Sequence, residues 1–349
     1  MKPITQPAKS SLRGTGPALP DANAPRVSVV IPTHNRAGLV VRAIRCVLEQ
    51  TMSDLELIVV DDASTADTAA AVVRIDDPRL QFVQLAKNGG QAHATNVGIA
   101  RARAEWVAFL DDDDEWLPDK LAAQLARLAQ TPDASAVYCL CYVQTSEELR
   151  SPRPRSDFPE GDIMDSLLRR SILTAPSAYM VRREALLAVG GFDETFVASQ
   201  DIDLWLRMSQ AGYRFASVPE PLMIFHQDSA ARLTMNPVAR AIGFVRIDRR
   251  WGALMRSRIS VEAHERWRGN RTKRLVKAHQ KLVRNIARSG SRSAALAYLR
   301  SIAPLWPWGA RFTLKALAVV VFGRLLHRIS RVRQGKAGPA WLRRLFGVG

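Results

Sequence analysis

The sequence predicts an α/β protein built on a mainly parallel central sheet, with a basic helical extension at its C-terminal end. Three observations carry that prediction. Short apolar runs lack in–out alternation, segments of helical period lie between them, and polar residues collect where the apolar runs end. Strands that alternate with helices form parallel sheets through crossover connections, and strands covered on both faces read as continuous apolar runs.

The elements follow in order. "RVSVVIPTHNR" (26–36) is a β-branched run that stops at a proline and a polar turn, a buried strand. From Leu39 to Gln50 the apolar residues Leu39, Val40, Ala43, Ile44, Val47 and Leu48 share one helical face. "LELIVVDD" (55–62) is a second strand ending in two acids, "ADTAAAVVRI" (66–75) a helix and "LQFVQL" (80–85) a third strand. "QAHATNVGIARARA" (91–104) is helical, and "EWVAFLDDDD" (105–114) is a fourth strand ending in four acids. Pro118 opens a helix to about Gln130, and "SAVYCLCYV" (135–143) is a fifth strand. Thr33, His34 and Asn35, then Asp61 and Asp62, then Asp111 to Asp114 thus occupy three strand ends. Open α/β sheets bind ligands at that edge, so the acids are expected at a strand tip beside a cleft and not inside the core.

Composition bounds the class. Apolar residues make up 47% of 349, enough for a core of one large or two ordinary domains. Three cysteines, Cys46, Cys139 and Cys141, show no disulfide framework. The N-terminal stretch is Pro-, Ser- and Gly-rich without an apolar signal core, so a cytoplasmic protein with a loose N-terminal tail is expected. Charge is segregated. Residues 1–231 hold 23 Lys and Arg against 30 Asp and Glu, and residues 232–349 hold 27 against 3. The expected division is therefore a tail at 1–25, an α/β domain at 26–231 and a basic helical region at 232–349.

Four adjacent carboxylates after a buried strand repel one another, and burial raises the penalty on each charge. A hard divalent cation would remove it and would bridge carboxylates to phosphate oxygens. A second chemical block, "SQDIDLWLR" (199–207), reads as a helix start with Asp201 and Asp203 in its first turn, where the helix dipole favours acids. "NGGQAHATNVG" lacks the terminal Lys-Ser/Thr of a phosphate-cradling loop.

The blocks "VSVVIPTHNR", "LELIVVDDAST", "NGGQAHATNVGIARA", "FLDDDDEWLPDKL" and "SQDIDLWLRMSQAGYRFASVPEPLMIFH" stand in the order found in family 2 of the nucleotide-sugar glycosyltransferases. The chain resembles that family from about Arg26 to Asp228. The resemblance implies a Rossmann-like GT-A fold and an inverting, metal-dependent sugar transfer. It implies an Asp-x-Asp element that holds Mg²⁺ or Mn²⁺: Asp111 and Asp113, with Asp112 or Asp114 as alternatives to Asp111, and Asp112 otherwise against the nucleotide. It places Asp61 or Asp62 on the base or ribose, Pro32, Thr33 and Asn35 on the opposite wall, Gly89 and Asn96 beside the nucleotide, and His226 near the diphosphate or metal. Arg36 either touches the nucleotide or faces solvent, and Trp205 either stacks on a sugar or belongs to the core. Asp201 matches the general base, which takes a proton from the acceptor hydroxyl, with Asp203 as a second candidate. The family has Glu-Asp where this chain has Gln200-Asp201, and "GGFDETF" (190–196) matches the acceptor-side loop.

In the basic region, "LWPWGARFTLKALAVVVFGRLLHRISRVR" (305–333) joins two tryptophans, a short apolar run and flanking arginines. The run is too short to span a bilayer, which needs about 20 apolar residues, so an interfacial amphipathic helix on an anionic membrane surface is expected. The sequence-based reading is a peripheral enzyme at the inner face of the membrane. It moves one sugar from a UDP- or dTDP-sugar to a saccharide or lipid-linked acceptor in cell-surface polysaccharide assembly. No Gln-x-x-Arg-Trp element of processive synthases follows Asp201. The rival readings are a catalytically silent nucleotide-sugar binder or scaffold, and a nucleic-acid binder through the basic tail. No nucleic-acid motif supports the latter.

Overall fold

The computed structural model describes residues 24–150, 158–169, 175–227 and 237–270. β1 (Val27–Thr33), β2 (Leu55–Asp61), β3 (Leu80–Gln84) and β4 (Trp106–Phe109) form the parallel half of a nine-stranded sheet. The order is β3-β2-β1-β4, so the chain winds outward twice from β1. Helices α1 (Ala37–Leu48), α2 (Ala66–Val73) and α3 (Gln91–Arg101) make the crossovers. Val40, Ala43, Ile44 and Val47 of α1 are buried, the face that the periodicity predicts. A Cβ at Gly98 would come within 2.3 Å of Val30 Cγ1, so glycine lets α3 lie directly on β1.

The run 105–114 differs from its expected single strand. β4 ends at Phe109, and Asp111–Asp114 form a turn closed by Asp114 N–H donating to the Asp111 carbonyl at 3.0 Å. β5 (Glu115–Trp116) follows, then α4 (Lys120–Gln130), two residues past Pro118. The other half of the sheet is mixed. β6 (Ala134–Gln144) carries the short β7 (Leu149–Arg150) on one part of its length. After α5 (Met164–Arg169) and a short 3₁₀ turn, Pro176–Ala178, β8 (Tyr179–Arg182) inserts antiparallel between β4 and β6. α6 (Arg183–Ala188) and α7 (Gln200–Gln210) precede β9 (Arg214–His226), which runs parallel to β6 and antiparallel to β5. The β6–β9 register shifts beside Pro219 and Pro221, which lack the N–H a regular ladder needs.

Register positions the polar ends. Thr33 pairs with Asp61 on the last rung of β1 and β2, while β4 stops opposite Val30. The acid turn therefore leaves β4 alongside Ile31–Thr33. Beneath it, Tyr138, Tyr179 and Trp205 stack at centroid distances of 5.5 and 4.1 Å, so Trp205 is a core residue. α8 (Pro237–Arg258) lies in the basic region, yet its Ile247, Trp251 and Met255 belong to this same core. The three cysteines are free thiols. No helix among the described residues is long and apolar enough to cross a membrane, and the segment 305–333 lies outside them.

Lys120, the first residue of α4, is fully buried. Its Nζ donates to Gln124 Oε1 at 2.8 Å and sits 3.9 Å from the centre of the Trp116 ring. Burial pushes its ammonium from an ordinary 10.5 down to about 8. Between those values the unfolded chain holds a proton that the folded chain has released, so folding gains stability as pH rises through the interval. Below it the buried charge costs on the order of 3 kcal/mol. Cys46, pushed up to about 11 by burial, and Cys139, also raised by burial, act in the opposite direction once free thiols ionise near 9.0. Urea unfolding is thus expected to show stability increasing from pH 8 to 9 in the native chain, with the increase lost in Lys120→Met. An equal slope in both proteins contradicts the assignment.

Candidate active site

The acid turn is built from four unlike environments. Asp112 accepts from Thr33 Oγ1 at 2.7 Å and from the Arg36 guanidinium at 2.7 Å, and Arg36 also stands 3.8 Å from Asp113. Burial pushes the Asp112 carboxyl above its ordinary value even though Arg36 and Thr33 pull it down. Asp111 Oδ1 accepts from Gln91 Nε2 at 2.7 Å. Ser177 ties two ends of the turn together. Its Oγ accepts the Asp111 N–H at 3.0 Å and donates to Asp114 Oδ2 at 2.8 Å. The indole of Trp116 anchors Ser177 through its carbonyl at 2.8 Å. Arg42 donates to the Asp113 carbonyl at 3.0 Å.

Asp112, Asp113 and Asp114 are at most 4% exposed. The acid turn stands at the tip of β4 beside a cleft and is buried there, where fixed donors offset the repulsion. Carboxylate oxygens of Asp111, Asp113 and Asp114 lie within 4.8 Å of one another. Three convergent hard-oxygen donors suit Mg²⁺ or Mn²⁺. Asp112 is turned toward Arg36 and Thr33. His226 is outside the acid group; its Nε2 is 2.6 Å from Glu115 Oε1, which Arg42 also approaches at 3.3 Å.

A cavity of about 250 Å³ opens at the ends of β1, β2 and β4, with Pro32, Thr33, Arg36, Asp62, Gln91 and Asp111–Asp113 on its walls. Asp62 faces it and Asp61 does not. The two Asp62 carboxylate oxygens accept the N–H groups of Gly89 (2.7 Å) and Gly90 (2.8 Å). Gly90 has φ of 87°, and a Cβ at Gly89 would lie 2.4 Å from the His93 ring, so this loop requires both glycines. Asp61 is fully buried and accepts from Ser64 N–H and Gln84 Nε2, both at 3.1 Å. Asn35, at φ 55°, joins the turns after β1 and β2. Its N–H donates to Ser64 Oγ and its Oδ1 accepts the Thr65 N–H. Asn96 is committed within the protein, with Nδ2 on the Phe192 carbonyl and Glu194 and Oδ1 accepting the Phe192 N–H. It holds the loop 190–196 against α3. His34, which the sequence places at the end of β1, also lines the cavity, as do Asn88 and Gln91, which sequence reasoning did not single out.

α7 joins the site through Gln200, whose Nε2 donates to Gln91 Oε1 at 3.1 Å. Ser199 precedes the helix at φ 63°. With Asn35 and Ala63 (φ 58°), it completes the set of non-glycine residues of positive φ among the described residues, and all three sit at turns around this site. Asp201 is half-buried in the first turn of α7, and burial, Tyr138 and the Asp201 carboxylate together push the Tyr179 phenol well above its ordinary value. Asp203 is fully buried. It accepts from Arg207 Nε (2.8 Å), Arg250 (2.8 Å) and Trp251 Nε1 (3.0 Å). Arg250 reaches Asp193 as well at 2.9 Å, and Arg207 holds the carbonyls of Val189 and Gly191. Asp203 thus fastens α7, α8 and the loop 190–196 to one another.

The sequence profile described as glycosyl transferase family 2 matches residues 28–190. A protein named as a colanic acid biosynthesis glycosyl transferase, WcaA of Escherichia coli, is 32% identical over 53% of this chain and 67% of its own length. The amylovoran biosynthesis glycosyltransferase AmsB of Erwinia amylovora is 28% identical over 57% of this chain and 69% of its own. Of the O-antigen biosynthesis protein RfbC of Myxococcus xanthus, 36% identical, the chain spans only 16%. The mannosyltransferase PcManGT of Pyrobaculum calidifontis, solved with GDP-Man and Mn²⁺, superposes with a TM-score of 0.52 over 90% of this chain and 84% of that one at 24% identity. Staphylococcus aureus TarS with UDP-GlcNAc gives 0.53 over 90% and 93% at 16% identity. The fold is that of the GT-A glycosyltransferases. The chain belongs to glycosyl transferase family 2.

Asp203→Ala leaves two guanidinium groups and an indole N–H without their buried acceptor, a loss of about 3–5 kcal/mol. Urea unfolding of this variant should show that loss, with Asp203→Asn less affected because it retains one acceptor oxygen. Unchanged stability in Asp203→Ala rules out the anchoring role.

Proposed function

We propose that this protein transfers a single sugar, with inversion, from a nucleotide-diphosphate sugar to a saccharide or lipid-linked acceptor in cell-surface polysaccharide assembly. The carrying observation is the cavity itself. Asp62 and the buried acid turn share its wall, and Gln91 and Gln200 connect the turn to the first turn of α7, which carries Asp201. The polysaccharide setting is supported by the named roles of WcaA and AmsB. The donor is a UDP- or dTDP-sugar, with GDP-sugars the next candidates given the GDP-Man in PcManGT.

In this reading Asp62, Thr33 and Asp112 line the nucleotide side, with Pro32 and Asn35 shaping the wall from the end of β1. Asp111, Asp113 and Asp114 hold a divalent cation, which when bound neutralises charge on the departing diphosphate. Arg36, paired with Asp112 beside the cavity, contributes a second positive charge facing the phosphates. Asp201 takes the proton of the acceptor hydroxyl as its oxygen attacks the anomeric carbon. His226 orients Glu115 at the edge of the acid turn.

Two substitutions separate binding from chemistry. With Mn²⁺ and UDP-, dTDP- and GDP-sugars, Asp113→Ala should abolish Mn²⁺-dependent nucleotide binding by calorimetry. Asp201→Asn should keep it and lose transfer by about 10²–10⁴-fold. Near-normal turnover in Asp201→Asn removes the base assignment. A native chain that binds donor and transfers nothing to any acceptor is a silent binder instead.

Residues 305–333 are the proposed hold on an anionic membrane surface, placing the enzyme at the cytoplasmic face where lipid-linked acceptors reside. Apolar insertion and basic contact reinforce each other, since neither alone anchors firmly. The full chain should float with anionic liposomes and a chain ending at Arg300 should not, while both bind nucleotide. Equal flotation of the two removes the tail from membrane binding.

A further inference from the structure

Gln91 and Gln200 form a chain of hydrogen bonds that runs in one direction. Gln200 Nε2 donates to Gln91 Oε1 at 3.1 Å, and Gln91 Nε2 donates to Asp111 Oδ1 at 2.7 Å. A carboxylate offers only acceptors, so Gln91 must turn its amino group to Asp111. Its carbonyl is then presented to residue 200, which must be a donor in turn. Glutamine satisfies that requirement and a glutamate at 200 does not. The same orientation leaves Gln200 Oε1 buried without a hydrogen-bond partner, in a residue only 9% exposed. An unsatisfied buried carbonyl costs about 1–3 kcal/mol. The protein accepts this because the amino group of Gln200 is committed elsewhere.

We propose that Gln91 and Gln200 act as positioning residues: a one-way link that orients Asp111 for the cation and ties it to the start of α7, where Asp201 stands. The proposal rests on the glycosyltransferase reading above, in which Asp111 is one of the cation's ligands. Gln200 is two side chains away from the acid group, so any influence it has on the cation travels through Gln91. Outer contacts that fix the orientation of a ligating carboxylate are worth about 10–100-fold in metal affinity. The link also explains why an amide stands at 200, where a second carboxylate would face the Gln91 carbonyl.

The test is a double-mutant cycle on the full chain. Gln91→Met and Gln200→Met keep length and approximate volume while removing the amide. Mn²⁺ affinity is read by electron paramagnetic resonance with saturating UDP, and again with GDP. Each single variant should weaken Mn²⁺ by about 10-fold. The double variant should weaken it no further than the worse single, because breaking one link twice adds nothing. UDP or GDP affinity in EDTA should stay at the native level, which a general loss of structure would not allow. Native Mn²⁺ affinity in Gln200→Met, or effects that add in the double variant, overturns the link. A native chain that binds no Mn²⁺ with either nucleotide overturns the proposed function, and the link with it.

Discussion

The structure depends on holding four carboxylates together at the end of one strand. Three of them are almost fully excluded from water, where their repulsion is least screened. Counterparts come from different parts of the chain: Thr33 and Arg36 at the β1–α1 junction serve Asp112, Gln91 of α3 serves Asp111, and Ser177 of the turn before β8 serves Asp114. Those donors lie far apart in sequence, and only the strand order and register bring them to one place. The fold can be seen as the frame that delivers these donors to the acid turn. Lys120 adds a cation to the same neighbourhood, stacked on the ring of Trp116, whose indole fixes Ser177.

The division of labour among neighbouring acids follows from burial and partners. Asp61 and Asp62 are adjacent, yet one is sealed between β2 and β3 while the other closes the glycine loop and faces the cavity. Asp201 and Asp203 lie in the same helical turn. One is tied by two arginines and an indole, and the other stays half-exposed. Sequence spacing left both pairs open, because a helix or strand end puts successive residues on different faces and the packing partners decide which face is wet.

The parallel strands, the crossover helices and the polar strand ends were legible because local periodicity encodes them. The antiparallel β8 was not, being four residues long and defined by its place between β4 and β6. The partners of the acid turn were not legible for a related reason: nothing in a run of aspartates points to Arg36 or Ser177, which lie more than 60 residues away in the chain. Gln91 lay hidden within a loop read for its glycines. Asn96 carried no sign that its amide would be consumed by Phe192 and Glu194. Composition placed a boundary near 231, yet α8 lies beyond it and packs into the core through Ile247, Trp251 and Met255.

The attachment of α8 has a consequence for synthesis. Translation delivers every motif of the catalytic half, through the end of β9, before residues 250 and 251 are joined to the chain. Until then Asp203 has Arg207 within its own helix and neither of its two distant donors. Every strand of the sheet is thus synthesised before the donors that fasten α7 and the loop 190–196 to α8. The fastening of α7 comes last, from a helix that contributes none of the family's signature residues.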